Sequence, residues 1–350
     1  MSQDTASNKT INPRSGDHAV PLGARLFLRE LRYLVGIVIA AAIFLWVGTH
    51  SVPALELDGT LALSWGPAVS GFAAGAILAA LVLALAVGTL VTWCDMPHAG
   101  LFIANAGLMA LAVRWGGVQP LLLDPAASSG VFHNLLLQCG FWLIFILLGE
   151  VCCRLVFAWF SRHQDWPALL GVPGAAPWRS VGAGGPGFPS TGRVLLAGAK
   201  SAAEASPGRW LDQVAGFLLT GLLAGAILAT LLQSQDVGQV LFACFAAFFV
   251  AAFATGRTIP GTSTWSIWLA VPATAAAGYL LAASPLASAA ALPGQVPRLA
   301  VYGWPIYLVR GLPIAYVAAG MTGAILGFYA ALRSSYHRIL LNGSQWPNAS

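Results

Sequence analysis

Apolar positions in this chain fall in long unbroken runs. They do not alternate as in a half-buried strand, nor do they form the narrow stripe of a surface helix. The clearest run, residues 69–94, reads VSGFAAGAILAALVLALAVGTLVTWC and carries no charge. A stretch of that length and neutrality predicts a transmembrane helix, because ~20 residues at ~1.5 Å rise cross a hydrocarbon core ~30 Å thick. Seven further runs follow the same logic: Leu31–Val47, Ala99–Val113, Asn134–Phe160, Leu211–Leu232, Val240–Thr255, Trp265–Ala283 and Leu312–Leu332. The pattern predicts an all-α, polytopic integral membrane protein of about eight transmembrane helices packed as a bundle.

The third run is the exception in length. Fifteen residues rise only about 22 Å, so a crossing there needs local thinning, a snorkelling Arg114 or a re-entrant path. The other break falls at residues 161–210, whose core GVPGAAPWRSVGAGGPGFPSTG is rich in Gly and Pro. Such a stretch lacks the apolar area to fold alone and reads as a cytoplasmic linker between helices 1–4 (residues 31–160) and helices 5–8 (residues 211–333). Residues 1–30 and 334–350 read as polar cytoplasmic tails. No apolar h-region precedes the first helix, so no cleaved signal peptide is expected.

Composition agrees with a lipid solvent. Only 8% of the 350 residues are charged and 58% are hydrophobic, whereas soluble domains carry about 25% charge. The net charge of +5 is spread thinly, which argues against a nucleic-acid partner. Its placement is more informative. With an inside N-terminus and eight crossings, 13 of the 17 basic residues lie on the inner side, and Arg114, Arg298 and Arg310 lie outside. Outer loops hold Glu56, Asp58, Asp124 and Asp236 instead. This bias places both termini in the cytoplasm, and the Ala, Gly, Leu and Trp richness points to a bacterial inner membrane. Trp46, Trp65, Trp93, Trp115, Trp210 and Trp265 sit near helix ends, as an interfacial belt would.

Candidate chemistry is sparse. Glu150 lies within the fourth run, where an ionised side chain costs at least ~2–3 kcal/mol and so needs protein or water around it. Arg154 is four residues on, hence on the same helix face in the favourable acid-before-base order. The pair reads either as a structural ion pair near the inner leaflet or as a binding site for a proton or cation. A guanidinium beside the carboxyl suits a fixed counter-charge better than a proton carrier. Gly71/Gly75, Gly221/Gly225 and Gly323/Gly327 each form a Gly-x-x-x-Gly pair, which lets helices approach closely where lipid gives no hydrophobic drive.

The six histidines assemble no site: none forms H-E-x-x-H, and His98 and His133 merely begin the third and fourth helices. Asn105 and Gln138 are expected to make interhelical hydrogen bonds. The five cysteines form no C-x-x-C pair and read as small hydrophobes. No catalytic group, metal site or cofactor is expected. The hexamer AGAILA occurs at Ala74–Ala79 and Ala224–Ala229, a faint hint of inverted repeats in a chain this rich in Ala and Leu. The reading that follows is a non-catalytic scaffold or accessory subunit of a membrane assembly, with the lipid bilayer and other membrane proteins as partners. One alternative is a small-molecule or ion transporter using Glu150. A second is a membrane-embedded enzyme acting on a lipid-like substrate through Asp124, His133 and Arg310.

Overall fold

A computed structural model of the chain describes residues 22–51, 71–92, 98–115, 130–162, 209–234, 236–259, 262–283 and 306–342. The N-terminal tail as far as residue 21, the Gly/Pro-rich segment and the end of the C-terminal tail lie outside the described residues. Every regular element among the described residues is helical: α1 (Leu22–Ser51), α2 (Gly71–Thr92), α3 (Ala99–Trp115), α4 (Gly130–Arg162), α5 (Arg209–Leu231), α6 (Val237–Thr258) and α7 (Thr264–Ala283). A 3₁₀ turn (Ile306–Arg310) then leads into a last rod. That rod is built of α8 (Pro313–Ala315), a π-helical segment (Tyr316–Gly320) and α9 (Met321–Asn342).

Seven helices are long and apolar enough to cross a membrane, and α3 is a shorter apolar helix among them. The molecule is a helical membrane bundle. α1 begins well before Leu31 and runs past Gly48, so Arg25, Arg29 and Arg32 lie on the helix itself.

Burial sorts the rods into centre and rim. In the last apolar span, Pro313–Ser334, 89% of the most apolar window is buried, against 28% in the spans of α1 and α5. Phe27, Val38, Trp46 and Leu222 point outward from these rim helices, where acyl chains satisfy them and their backbone groups bond within each helix. α3 is central too: Leu101, Ile103, Ala104, Asn105, Leu108, Leu111 and Ala112 are all fully buried. Its shortness has a physical reason, since a helix walled by protein need not match the thickness of the lipid. α3 runs parallel to α1, because Gly36 lies against Ile103 and Ala40 against Gly107. It thus takes a full place in the up-and-down order.

The contact scheme repeats. α1 packs on α2 and α3 as α5 packs on α6 and α7. The fourth rod of each half packs on the second rod of its own half and on the third of the other, so α4 meets α7 and the last rod meets α3. The match is incomplete, because the close α2–α3 contact has only a slight counterpart in α6–α7. The AGAILA hexamers do not follow this scheme: α2 is the second rod of its half and α5 the first of its own.

One end of the bundle gathers the starts of α3, α5 and α7 with the ends of α4, α6 and α9. Gln213 Oε1 accepts from Ser263 and Ser266, Thr220 bonds Thr255, and Arg257 donates to Ser334. At the opposite end the irregular stretch before Pro313 is buried yet satisfied. Tyr316 donates to the Leu308 carbonyl at 2.7 Å and Tyr279 to that of Gly311. Arg310 caps the end of α5 through the carbonyls of Leu232 and Gln233. Non-helical backbone survives at membrane depth only when protein answers its polar groups in this way.

Candidate functional site

The polar centre of the molecule is Glu150, fully buried on the inward face of α4. Arg154, one turn further along, donates from Nε to Glu150 Oε1 at 2.5 Å. Its side chain is 52% exposed, so the guanidinium spans from a buried carboxylate to the bundle surface. There it lies over the Trp265 ring of α7, 5.2 Å from the ring centre.

The second carboxylate oxygen meets a residue from another helix. His98, in the turn that opens α3, places Nε2 3.3 Å from Glu150 Oε2. That is ion-pair distance without the alignment of a hydrogen bond. The other ring nitrogen, Nδ1, is 2.6 Å from the hydroxyl of Tyr329 on α9. Trp268 of α7 packs against the imidazole at 87° with ring centres 4.4 Å apart. A chain of polar groups thus runs from Arg154 through Glu150 and His98 to Tyr329, joining α4, α3 and α9, with α7 as its aromatic wall.

Two glycines beside these residues make the approach possible. A Cβ at Gly149 would fall 2.7 Å from Leu101 Cδ1, so a side chain there would displace the tip of Leu101 where α4 presses on α3. A Cβ at Gly100 would fall 2.7 Å from Thr89 Cγ2 and 3.0 Å from the Leu85 carbonyl oxygen. The pairs His98/Gly100 and Gly149/Glu150 therefore put each polar side chain within two residues of a close helix contact. The chain also lies on the seam between halves: His98, Glu150 and Arg154 come from α3 and α4, and Trp265, Trp268 and Tyr329 from α7 and α9.

Glu150 and Arg154 do pair, as their spacing implies, and His98, one of the histidines expected to build no site, lies against Glu150 and Tyr329. His133 is exposed on the first turn of α4, Arg310 caps α5, and Asp124 lies outside the described residues. Asn105 donates to the Leu101 carbonyl of its own helix at 2.8 Å, and the buried Gln138 Nε2 has no hydrogen-bond partner among the described residues. Neither makes the interhelical bond expected of it. Cys139, Cys152, Cys153 and Cys244 form no disulfide among the described residues.

The three Gly-x-x-x-Gly pairs differ. Gly323 and Gly327 lie so close to Phe245 and Phe249 of α6 that a Cβ on either would strike a backbone carbonyl. Gly221 and Gly225 face Thr274 at ordinary distance, and nothing lies within 4 Å of a Cβ at Gly75. Gly75 thus departs from the expected packing face, and the surroundings of Gly71 lie outside the described residues.

His98, Tyr329 and Trp268 could not be found by local spacing, since His98 and Tyr329 are 231 positions apart. The available signal was indirect: a histidine and an acid, each within two residues of a glycine, in apolar chain segments.

Comparison with protein-family models, curated proteins and solved structures finds no match to this chain.

Proposed function

We propose that the protein is a small-molecule or ion transporter of a bacterial inner membrane, with both termini cytoplasmic. The orientation is supported by the inner-side excess of Lys and Arg. The function is carried by one observation: Glu150, fully buried, is met by His98 from a second helix, and His98 by Tyr329 from a third. Ionisable groups at membrane depth are expensive and mark ion pathways by default. A single snorkelling ion pair needs only Glu150 and Arg154; the added imidazole and phenol extend it into a chain across the seam of the two halves. Substrate sites of transporters built from repeats sit at such interfaces. These features favour transport over the scaffold or accessory role read from the sequence.

The test is reconstitution of the full chain into vesicles under imposed proton, sodium and potassium gradients, with Glu150→Gln as the comparison. A flux present with the parent and lost in the variant supports the reading. No flux above protein-free vesicles under any gradient contradicts it and returns the protein to the scaffold class, with other membrane proteins as its partners.

A further inference from the structure

The transport reading does not say which ion the seam handles or which group holds it. We infer that the ion is a proton and that its carrier is His98, with Glu150 as the fixed counter-charge and Tyr329 as the hydrogen-bond partner that answers both states. The inference rests on the transport reading for its use, but its chemistry stands on the geometry of the site alone.

Glu150 is poorly placed to be the carrier. Arg154 is tethered one turn away on the same helix and holds Oε1 at 2.5 Å, and a guanidinium cannot give up its charge in a protein. A carboxylate fastened to a permanent cation serves as a fixed charge. Nor does the site suit a metal cation. One carboxylate oxygen remains and faces the His98 imidazole, while the indole of Trp268 and the phenol of Tyr329 adjoin that ring. Calcium takes six to eight oxygens and magnesium near-ideal octahedral oxygen geometry.

Nδ1 of His98 has a hydrogen-bond partner in both protonation states, and Nε2 faces the Glu150 charge in both. A carboxylate only accepts, so in the neutral ring the hydrogen belongs on Nε2, facing Glu150 Oε2 at 3.3 Å. Nδ1 then accepts from the Tyr329 hydroxyl at 2.6 Å. When a proton adds at Nδ1, that nitrogen becomes the donor, and the Tyr329 oxygen accepts while its own hydrogen turns away. Uptake adds one proton and one positive charge to the ring. Tyr329 stays a neutral phenol, and release returns the same proton. The one bond made on uptake and broken on release is Nδ1–H.

Among the described residues, the groups around this exchange are few. α4 supplies Glu150, Arg154 and Cys153, α9 supplies Tyr329, α1 brings Tyr33 into the electrostatic surroundings of Tyr329, and α7 supplies only Trp268. Glu150 is the one anion among them. The reversed hydrogen bond links α3 of the first half to α9 of the second, so protonation is written into the seam itself.

The test uses the full chain in lipid vesicles with ¹⁵N-labelled histidine side chains, and the His98→Gln variant identifies the His98 signal. The expected result is conversion of His98 between neutral and imidazolium forms within the pH range where the protein stays folded. Proton flux driven by a pH gradient should fall to the level of protein-free vesicles in His98→Gln. Tyr329→Phe keeps the ring and its packing, and should leave the conversion in place while changing the Nδ1 shift. A His98 signal fixed in one form across that range overturns the carrier assignment. So does parental flux in His98→Gln. If Glu150→Gln abolishes flux while His98 never converts, transport survives and this assignment falls. If His98 converts while no variant alters any flux, the proton site stands and the transport reading falls.

Discussion

The last rod touches its neighbours in two opposite ways. Against α6 it presents Gly323 and Gly327, which rest directly on the backbone of Phe245 and Phe249. Against α3 it presents Tyr329, which reaches His98 and, through it, Glu150 on α4. At its glycines the first contact is close backbone packing whose main variable is size, and its polar bond, Arg257 to Ser334, lies further along the seam. The second is made of directed polar bonds, and its strength depends on where protons sit. In lipid, where helices gain nothing by hiding apolar surface from one another, the first kind holds rods together. The second kind is costly to bury unless its members answer one another. On the transport reading proposed above, the α6–α9 seam fixes the second half and the α3–α9 contact is the variable one.

Substitutions can break or sharpen that contrast. The largest effect is expected from Gly327→Leu, whose side chain has to enter the Phe249 backbone. Overpacking of this kind costs about 3 kcal/mol and should appear as a large drop in the thermal midpoint of the detergent-solubilised protein. Arg154→Gln comes next, because it leaves the buried Glu150 without its guanidinium. Breaking a fully buried pair costs more, but Arg154 is half-exposed, so a loss of about 1–2 kcal/mol is expected in the same assay. Tyr329→Phe removes one hydrogen bond and no packing, and should lower stability by about 1 kcal/mol. Gly75→Ala should be the mildest. Open space surrounds it, so the change should stay within about 0.5 kcal/mol, on the stabilising side if helix propensity is felt. If Gly75→Ala and Gly327→Leu destabilise alike, the assignment of one tight and one open glycine face is wrong.

Much of the fold was legible because membrane helices are written in runs. Trp265–Ala283 was expected and Thr264–Ala283 is found; Leu211–Leu232 was expected and Arg209–Leu231 is found. Bounds misled most at α1, expected at Leu31–Val47 and found at Leu22–Ser51, because its first turns carry Arg25, Arg29 and Glu30 and so break the apolar run; α3 is short because other rods enclose it. Small-residue pairs were weaker guides. Three pairs have the same spacing, but only the partner's backbone decides which one is tight, and Phe245 and Phe249 lie far away in the chain. The candidate site was half visible. Glu150 and Arg154 share a helix turn, so spacing alone pairs them. His98 and Tyr329 join through tertiary packing, which no local period encodes.

The account turns on Glu150 being a working charge inside the bundle. Gradient-driven flux through vesicles containing the parent chain, Glu150→Gln or Gly75→Ala measures this most directly. The expected outcome is parental flux with Gly75→Ala and none above protein-free vesicles with Glu150→Gln. Equal flux from all three proteins, each folded and inserted to the same extent, would contradict it.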